Sequence, residues 1–499
     1  MIPESQREAA AFLRELAGQD PIETHISAVF IGAESVWKLR KAVRLDYVDF
    51  TTLAAREAAA AREVALNTAH APGLYRGVRR LSAKPRGLAL DGAGPTVDVV
   101  TEMARIPAGD FLDARASAGP LPPALLDALA DGVAAWHATS PVVVRDQATA
   151  LADIIAGNAR AAAAARLDPA GIEVWREAAL AALGALGPWL AGRAARLRRL
   201  HGDLHLGNIV VWRGQPVPID ALEFDEALAC FDIGYDLAFL LMDLQARCGR
   251  AAANRVLNRF VARDGDAALV GGLALFLSLR AMIRAHVAAT RGEQAMGEAG
   301  LARARAYLAP SRGFVLAIGG LPGAGKSTVA RLVAPRIGAA PGALILRSDE
   351  TRKRLHGVAP EVRLDASTYT PETSMRVFRE LAAMARPARF HGVIADATFM
   401  NPTHRALLEA AASGVVFLGV WLTAPAPILR ARVAARSAAN RRAAGAGDAS
   451  DAGPEVLESA LEADPGPGGW LAVDATDAER ARDTVLRALA RAGIDAVHA

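Results

Sequence analysis

Two stretches of the chain set acids, amides and cations at spacings suited to handling a phosphoryl group. The first is His201-Gly-Asp-Leu-His-Leu-Gly-Asn208. In the spacing H-x-D-x-x-x-x-N, Asp203 can take the proton of an acceptor hydroxyl while Asn208 holds Mg2+. Two short strand patterns, Ile209–Trp212 and Val217–Ile219, follow as a hairpin and deliver Asp220, a second carboxylate for the metal. His201 and His205 could pass for a metal pair, but no further ligand types cluster with them. Asp236 reads as a brace for the loop. The second stretch, Gly320-Leu321-Pro322-Gly323-Ala324-Gly325-Lys326-Ser327, fits G-x-x-x-x-G-K-[ST] and runs through Thr328 into a helical pattern. Its glycines permit a tight backbone path. Its N–H groups and the helix N-terminus make an anion site. Lys326 can reach the β- and γ-phosphates of ATP, and the Ser327 hydroxyl can bind Mg2+.

Other candidates surround these two. Asp349 ends an apolar strand pattern and Arg352 stands three residues on. This D-x-x-R resembles that of small P-loop kinases such as polynucleotide kinases, where the Asp is the base on the acceptor hydroxyl and the Arg binds the acceptor. Asp349 could also cap a helix. Asp396, at another strand end, can hold Mg2+ through water or orient the acceptor. Arg432 and Arg436 are four apart and share a helix face, either as lid arginines on the phosphoryl group or as a solvated basic face. Gly445–Gly453 has the composition of a mobile lid tip. In the first third, Lys38 on a strand is the candidate phosphate lysine, with Lys41 as a rival and Glu63 as its partner on the next helix. No G-x-G-x-x-G precedes Lys38, so Thr24–Ser27 and Phe30–Ala33 must cover the phosphates. Glu102 and Met103, after the strand pattern Thr96–Thr101, would form the hinge that meets adenine.

The elements that position these groups change character along the chain. A β-rich start is followed by a helix over about 52–68, an alanine-rich helical region over 123–200, and more helix over about 232–306. Pro310–Gly313 then breaks the pattern, and strand and helix alternate, which implies a parallel sheet covered by helices. The 499 residues exceed one core, which rarely grows beyond about 300. We expect domains at 1–308 and 313–499. The fold class is multidomain α/β and α+β, a bilobal N-terminal domain followed by a P-loop NTPase domain.

With 52% hydrophobic and 22% charged residues, the chain is not mostly disordered. Fifty-seven Lys and Arg against 53 Asp and Glu leave a net charge of +4, and aromatics are 5%; both argue against a nucleic-acid partner. Two cysteines make no disulfide framework. The N-terminal residues have no signal-peptide pattern. The most apolar helical run, Ala267–Leu279, ends at Arg280 and is too short to span a bilayer. A cytoplasmic protein with no membrane partner is expected, with its oligomeric state open.

On HGDLHLGN and Pro218-Ile-Asp220, residues 1–305 resemble the aminoglycoside phosphotransferase and choline kinase superfamily. Residues from about 313 resemble P-loop kinases related to polynucleotide kinase and zeta toxin. The fused order is similar to bacterial bifunctional aminoglycoside phosphotransferase/ATP-binding proteins. The resemblance implies a bifunctional phosphotransferase that uses ATP and Mg2+ on small-molecule hydroxyl acceptors. Two alternatives stay open: one P-loop kinase regulated by a nucleotide-sensing N-terminal module, and a nucleic-acid 5′-hydroxyl kinase.

Overall fold

The structure, a computed structural model, describes residues 1–45, 48–442 and 448–497. The chain divides into two compact units, Met1–Arg145 with Ala195–Asp236, and Asp146–Ala194 with Leu237–Ala499. Residues 237–307, which precede the expected boundary at 308–313, thus share the second unit with the P-loop sheet.

The first unit is built on a six-stranded antiparallel sheet. Its strands are β1 (Ile22–Glu23), β2 (Ser27–Ile31), β3 (Ser35–Arg40), β4 (Tyr75–Ala83), β5 (Leu88–Leu90) and β6 (Thr96–Ala104), in the order β1-β2-β3-β6-β4-β5. Helix α1 (Arg7–Ala17) buries Ala9, Ala10 and Leu13 with Phe30, Leu39 and Val100. Helix α2 (Leu53–Thr68) starts where the Thr52 hydroxyl accepts from Ala55 N at 3.2 Å. β4 and β5 are not legible in the sequence, because Arg76, Arg79 and Arg80 interrupt the apolar alternation and a bulge falls between Tyr75 and Gly77. Helix α3 (Pro123–Thr139) and β7 (Leu197–Arg199) lead to the hairpin β8 (Ile209–Trp212) and β9 (Gln215–Pro218); β10 (Cys230–Asp232) pairs antiparallel with β7.

The second unit holds α4 (Gln147–Ala164), α5 (Pro169–Ala185), α6 (Ile233–Asp264, broken at Gly249), α7 (Val270–Thr290) and α8 (Gln294–Tyr307). The helical region expected over about 232–306 comprises α6, α7 and α8. Arg280 does not end the apolar run. It is 4% exposed with its guanidinium 4.7 Å from the Phe239 ring, and the helix continues to Thr290. Residues Ala267–Thr290 are thus long and apolar enough to cross a membrane, and 72% of that apolar window is buried inside the protein.

The P-loop sheet follows: β11 (Phe314–Gly320), β12 (Leu344–Arg347), β13 (Val393–Asp396), β14 (Val416–Thr423) and β15 (Leu471–Asp474), all parallel in the order β12-β13-β11-β14-β15. β11 is buried along its whole length, as a central strand with helices on both faces must be. Helices α9 (Lys326–Val333), α10 (Ser348–Leu355), α11 (Pro371–Ala388), α12 (Ala426–Arg442) and α13 (Ala478–Arg491) accompany it, with two further helices at Pro402–Ala411 and Pro454–Glu462. The carboxyl ends of β11, β12 and β13 present Gly320, Arg347 and Asp396 side by side.

A buried polar knot ties the first unit together. Arg56 Nε donates to Asp98 Oδ1 at 2.8 Å and Gln6 Nε2 to Asp98 Oδ2 at 2.8 Å, all three residues being buried. Asp98→Ala leaves the Arg56 charge without its counter-ion, and about 3–5 kcal/mol of stability is expected to be lost in urea unfolding.

Candidate functional site

In the first unit the central group is Glu63, which has no solvent exposure. Lys38 Nζ donates to its Oε1 at 2.8 Å and to Asp220 Oδ1 at 2.6 Å. Arg40 donates to Glu63 Oε2 and to Glu223, both at 2.8 Å, and the Thr101 hydroxyl donates to Glu63 at 2.9 Å. Burial alone would push the Glu63 carboxyl up, but Lys38 and Arg40 hold it down to about 2. Burial would likewise strip Lys38, yet Asp220, Glu63 and Glu223 keep its pKa well above the usual lysine value. The rival Lys41 is engaged elsewhere, donating to Glu23 at 2.7 Å and to the Thr24 carbonyl at 2.6 Å.

The catalytic-loop pattern folds on itself. Asn208 Nδ2 donates to Asp203 Oδ2 at 2.9 Å and to the Asp203 carbonyl at 3.0 Å. Ile219 N donates to the Asn208 carbonyl at 2.8 Å, so the hairpin returns Asp220 beside Asn208. Asp220 sits at φ 60°, a left-handed conformation held by its N–H on the Tyr75 hydroxyl at 3.0 Å. His201 is not arranged as a metal ligand. Its Nδ1 accepts from Asp203 N at 3.2 Å and its Nε2 faces the Ile219 carbonyl at 2.8 Å, which sets Nε2 as the protonated nitrogen. Burial lowers its pKa, keeping the ring neutral. Asp236 accepts from Gly202 N at 2.9 Å and pairs with His137 Nε2 at 3.1 Å, the bracing expected of it.

The strand before the expected hinge runs further than its sequence pattern. β6 runs to Ala104, so Glu102 and Met103 are inside the sheet, facing Trp37 and Val36 on one side and Gly77 and Tyr75 on the other. Glu102 Oε1 accepts from the Ser35 hydroxyl at 2.8 Å. A cleft of about 500 Å³ opens just beyond, lined by Ala33, Glu34, Arg76, Ala104, Arg105, Pro107 and Trp212. Ala104, Arg105 and Pro107, at the end of β6, line this cleft directly after Glu102 and Met103. The turn at 32–34 is tied to the end of β6, since Arg105 donates to the Gly32 carbonyl at 3.3 Å through Nη1 and to the Glu34 carbonyl at 3.2 Å through its N–H.

In the second unit the P-loop takes the path its glycines allow. Gly320, Gly323 and Gly325 have φ of 139°, 83° and 91°. A Cβ on Gly320 would stand 2.6 Å from the Leu422 carbonyl oxygen. Lys326 Nζ donates to the carbonyls of Gly320 at 2.9 Å and Leu321 at 3.0 Å, and burial lowers its pKa. Leu321, Pro322, Ala324 and Thr328 complete the loop and the first turn of α9. The Ser327 hydroxyl donates to Asp396 Oδ2 at 2.5 Å. A hydroxyl and a carboxylate oxygen in contact at the end of β11 and β13 are the hard donors that suit Mg2+. Asn208 with Asp203 and Asp220 supply the same donor types in the first unit.

Arg347 is a participant the sequence reading did not single out. It contacts Asp396 at 3.3 Å, Glu350 at 3.1 Å and Asp448 at 3.1 Å. Burial opposes its charge, but these carboxylates hold its pKa well above normal. Asp349 lies in the first turn of α10 while Arg347 takes the cap position, so Asp349 is not the cap. Burial raises the Asp349 carboxyl, with Arg347 working against the rise. Arg352 donates to the Thr368 carbonyl at 3.3 Å and the Ser374 hydroxyl at 3.2 Å, and lies 4.6 Å over the Tyr369 ring. Arg432 donates to the Ala475 carbonyl at 3.0 Å and stands beside Gly323 at 3.5 Å, whereas Arg436 donates to the Ala452 carbonyl at 2.7 Å. Gly445–Gly447 of the expected lid tip lie outside the described residues. Its remainder is anchored, because Asp451 pairs with Lys353 at 3.0 Å and accepts from the Tyr369 hydroxyl at 2.6 Å.

Fold and sites together define the class, a nucleotide-dependent kinase carrying a P-loop and a separate kinase-like catalytic loop. Comparison with known proteins agrees for the C-terminal part, where residues 315–463 match the family described as an AAA domain. Uncharacterised proteins of Mycobacterium tuberculosis and Mycobacterium bovis are 29% identical over 454 residues, spanning 84% of this chain and 87% of theirs. Among solved structures, a gluconokinase from Sinorhizobium meliloti is similar at 21% identity and TM-score 0.27, over 37% of this chain and 94% of that one. A choline/ethanolamine kinase family protein from Mesorhizobium loti is similar at 17% identity and TM-score 0.38, over 61% and 95%. The GDP complex of an aminoglycoside 2′-phosphotransferase is similar at 14% identity and TM-score 0.37, over 58% and 92%.

Glu63 gives the first unit an acid dependence. An unfolded chain takes up this proton near pH 4.5, whereas the fold resists it down to about 2. The stability it contributes is complete above pH 4.5 and is lost as the pH falls through that window. Urea midpoints of the wild type should drop steeply there, and Glu63→Gln should flatten that slope.

Proposed function

We propose that the chain is a bifunctional phosphotransferase, with residues 1–308 and 313–499 each moving the γ-phosphoryl of ATP to a hydroxyl of a small molecule. The observation that carries this reading is that each half brings a half-buried lysine to a metal-type carboxylate: Lys38 bonded to Asp220, which follows the hairpin that Asn208 opens, and Lys326 within the field of Asp396, itself bonded to Ser327. In the first half, Asp203 takes the acceptor proton, and Asn208 and Asp220 would hold Mg2+. Lys38, positioned by Glu63, neutralises phosphate charge. In the second half, the P-loop N–H groups and Lys326 bind the phosphates, Asp349 takes the acceptor proton and Arg352 holds the acceptor. Arg432, beside the P-loop, adds positive charge, with Arg436 one turn on. Mg2+ at the two carboxylate sets supplies charge neutralisation on the transferring group. Most of the catalytic effect is positioning and electrostatic stabilisation.

A second reading, in which the first half senses nucleotide and regulates the P-loop half, is favoured by one contact. Lys38 is bonded to Asp220, so the two groups meant for phosphate and metal hold each other. Phosphotransfer from ATP to a metabolite extract, run with wild type, Asp203→Asn and Lys326→Ala, separates the two. If both sites are active, each variant removes its own product, and Asp203→Asn lowers its rate by about 10²–10⁴. Products that survive Asp203→Asn at changed rates belong to the regulatory reading. Loss of no product in either variant sinks both.

The raised pKa of Asp349 predicts the pH profile of the Lys326-dependent reaction. A base must be ionised to act, so the acid limb of kcat should lie above the ordinary aspartate range. Arg347 opposes the rise, so Arg347→Gln should move the limb to still higher pH. A limb unmoved by that substitution would show that Asp349 is not the titrating base.

A further inference from the structure

Beyond its break at Gly249, α6 carries Arg250, Asn254 and Asn258 at four-residue spacing, which sets them on one helix face. All three are spent on the backbone leading into the P-loop sheet. Arg250 donates to the Pro335 carbonyl at 2.8 Å and the Gly338 carbonyl at 3.1 Å. Asn254, 3% exposed, donates to the Ala343 carbonyl at 3.0 Å. Asn258 makes the most informative contacts. Its Oδ1 accepts from Ile345 N at 2.6 Å, and its Nδ2 donates to the Ala343 carbonyl at 3.3 Å and to Asn254 O and Oδ1 at 3.0 Å. Gly342 permits this approach; a Cβ there would lie 2.8 Å from Asn254 Nδ2, on a backbone at φ 132°.

The Ala343 carbonyl and the Ile345 N–H flank Leu344 on β12, the edge strand. One residue of a neighbouring parallel strand would donate to the first and accept from the second. The Asn258 carboxamide does both. It occupies the place of a sixth strand and satisfies an edge that would otherwise present open donors and acceptors. Two residues past Ile345 the strand ends at Arg347, and Asp349 follows. Six residues after α10 in sequence, Glu361 is clamped by Arg259 and Arg263 at 2.6 and 3.0 Å.

We infer that Asn258 is a positioning residue of the P-loop site: its carboxamide fixes β12 and thereby the placement of Arg347 and Asp349. The inference rests on the reading of Asp349 as the base. The nucleotide is bound from β11 and α9, two strands away, so loss of the amide should affect transfer and not nucleotide affinity.

The test uses the full-length chain. Asn258→Ala should lower kcat of the Lys326-dependent transfer about tenfold, as a small misplacement of a reacting group does. The Kd for a fluorescent ATP analogue should stay within about twofold, and amide hydrogen exchange at Ile345 should quicken about tenfold or more. Asn258→Asp keeps the acceptor for Ile345 N–H and should restore most of its protection, with an intermediate kcat; it serves in place of the alanine variant if that variant does not fold. Unchanged Ile345 exchange overturns the inference. So does faster exchange with unchanged kcat, or a kcat loss matched by an equal loss of nucleotide affinity. If the wild type has no Lys326-dependent transfer, the proposed function fails on its own, and Ile345 exchange still decides whether Asn258 holds the strand.

Discussion

Glu63 carries a charge where water cannot reach it, and the first unit is assembled around that fact. An ionised carboxylate in such a place is stable only when surrounded by cations and donors. Lys38 and Arg40 come from one strand, two residues apart and on the same face, and Thr101 comes from the strand beside it. Because Lys38 and Arg40 must both reach Glu63, the register of β3 against α2 has no freedom to slip. The same demand carries outward, since Arg40 draws in Glu223 and Lys38 draws in Asp220. The segment after the hairpin is thereby pinned to the sheet by charge.

The P-loop half inverts this arrangement. There the centre is the half-buried cation Arg347, answered by carboxylates from β13, α10 and the segment at Asp448. Parallel strands bring their carboxyl ends to one edge, where helix N-termini also converge, so this edge gathers positive potential from backbone dipoles. Burial, with neighbouring carboxylates added, raises the pKa of Asp349 and Glu350 there, and Arg347 works against the rise. Lys326, meanwhile, rests on loop carbonyls, which a phosphate can displace without leaving a charge uncompensated.

What could be read from the sequence was the chemistry contained in short stretches. HGDLHLGN and the P-loop each hold their functional residues within eight positions, and local backbone geometry brings those residues together. The Lys38–Glu63 pair was also legible, because a strand followed by a helix sets few alternatives. What was not legible depends on partners far along the chain. Glu102 and Met103 lie inside β6, not after it, because that strand is paired on both sides, and nothing near Thr101 reveals those neighbours. β4 was hidden by its arginines. Arg347 looked like one arginine in a charged run, and Asn258 like an ordinary helix polar residue, since each takes its meaning from groups that differ by tens of residues in sequence.

The amide of Asn258 also bears on how such a chain could be inherited. A stretch beginning at the proline-rich break near residue 310 looks, on the page, like a portable gene segment. Transplanted without α6, it would arrive with the Ile345 N–H and the Ala343 carbonyl bare on the rim of its sheet, open to any passing strand. Recombination at that break would yield an adhesive product. The segment on which the rim of the P-loop sheet depends begins upstream of Arg250, inside what reads as the first domain.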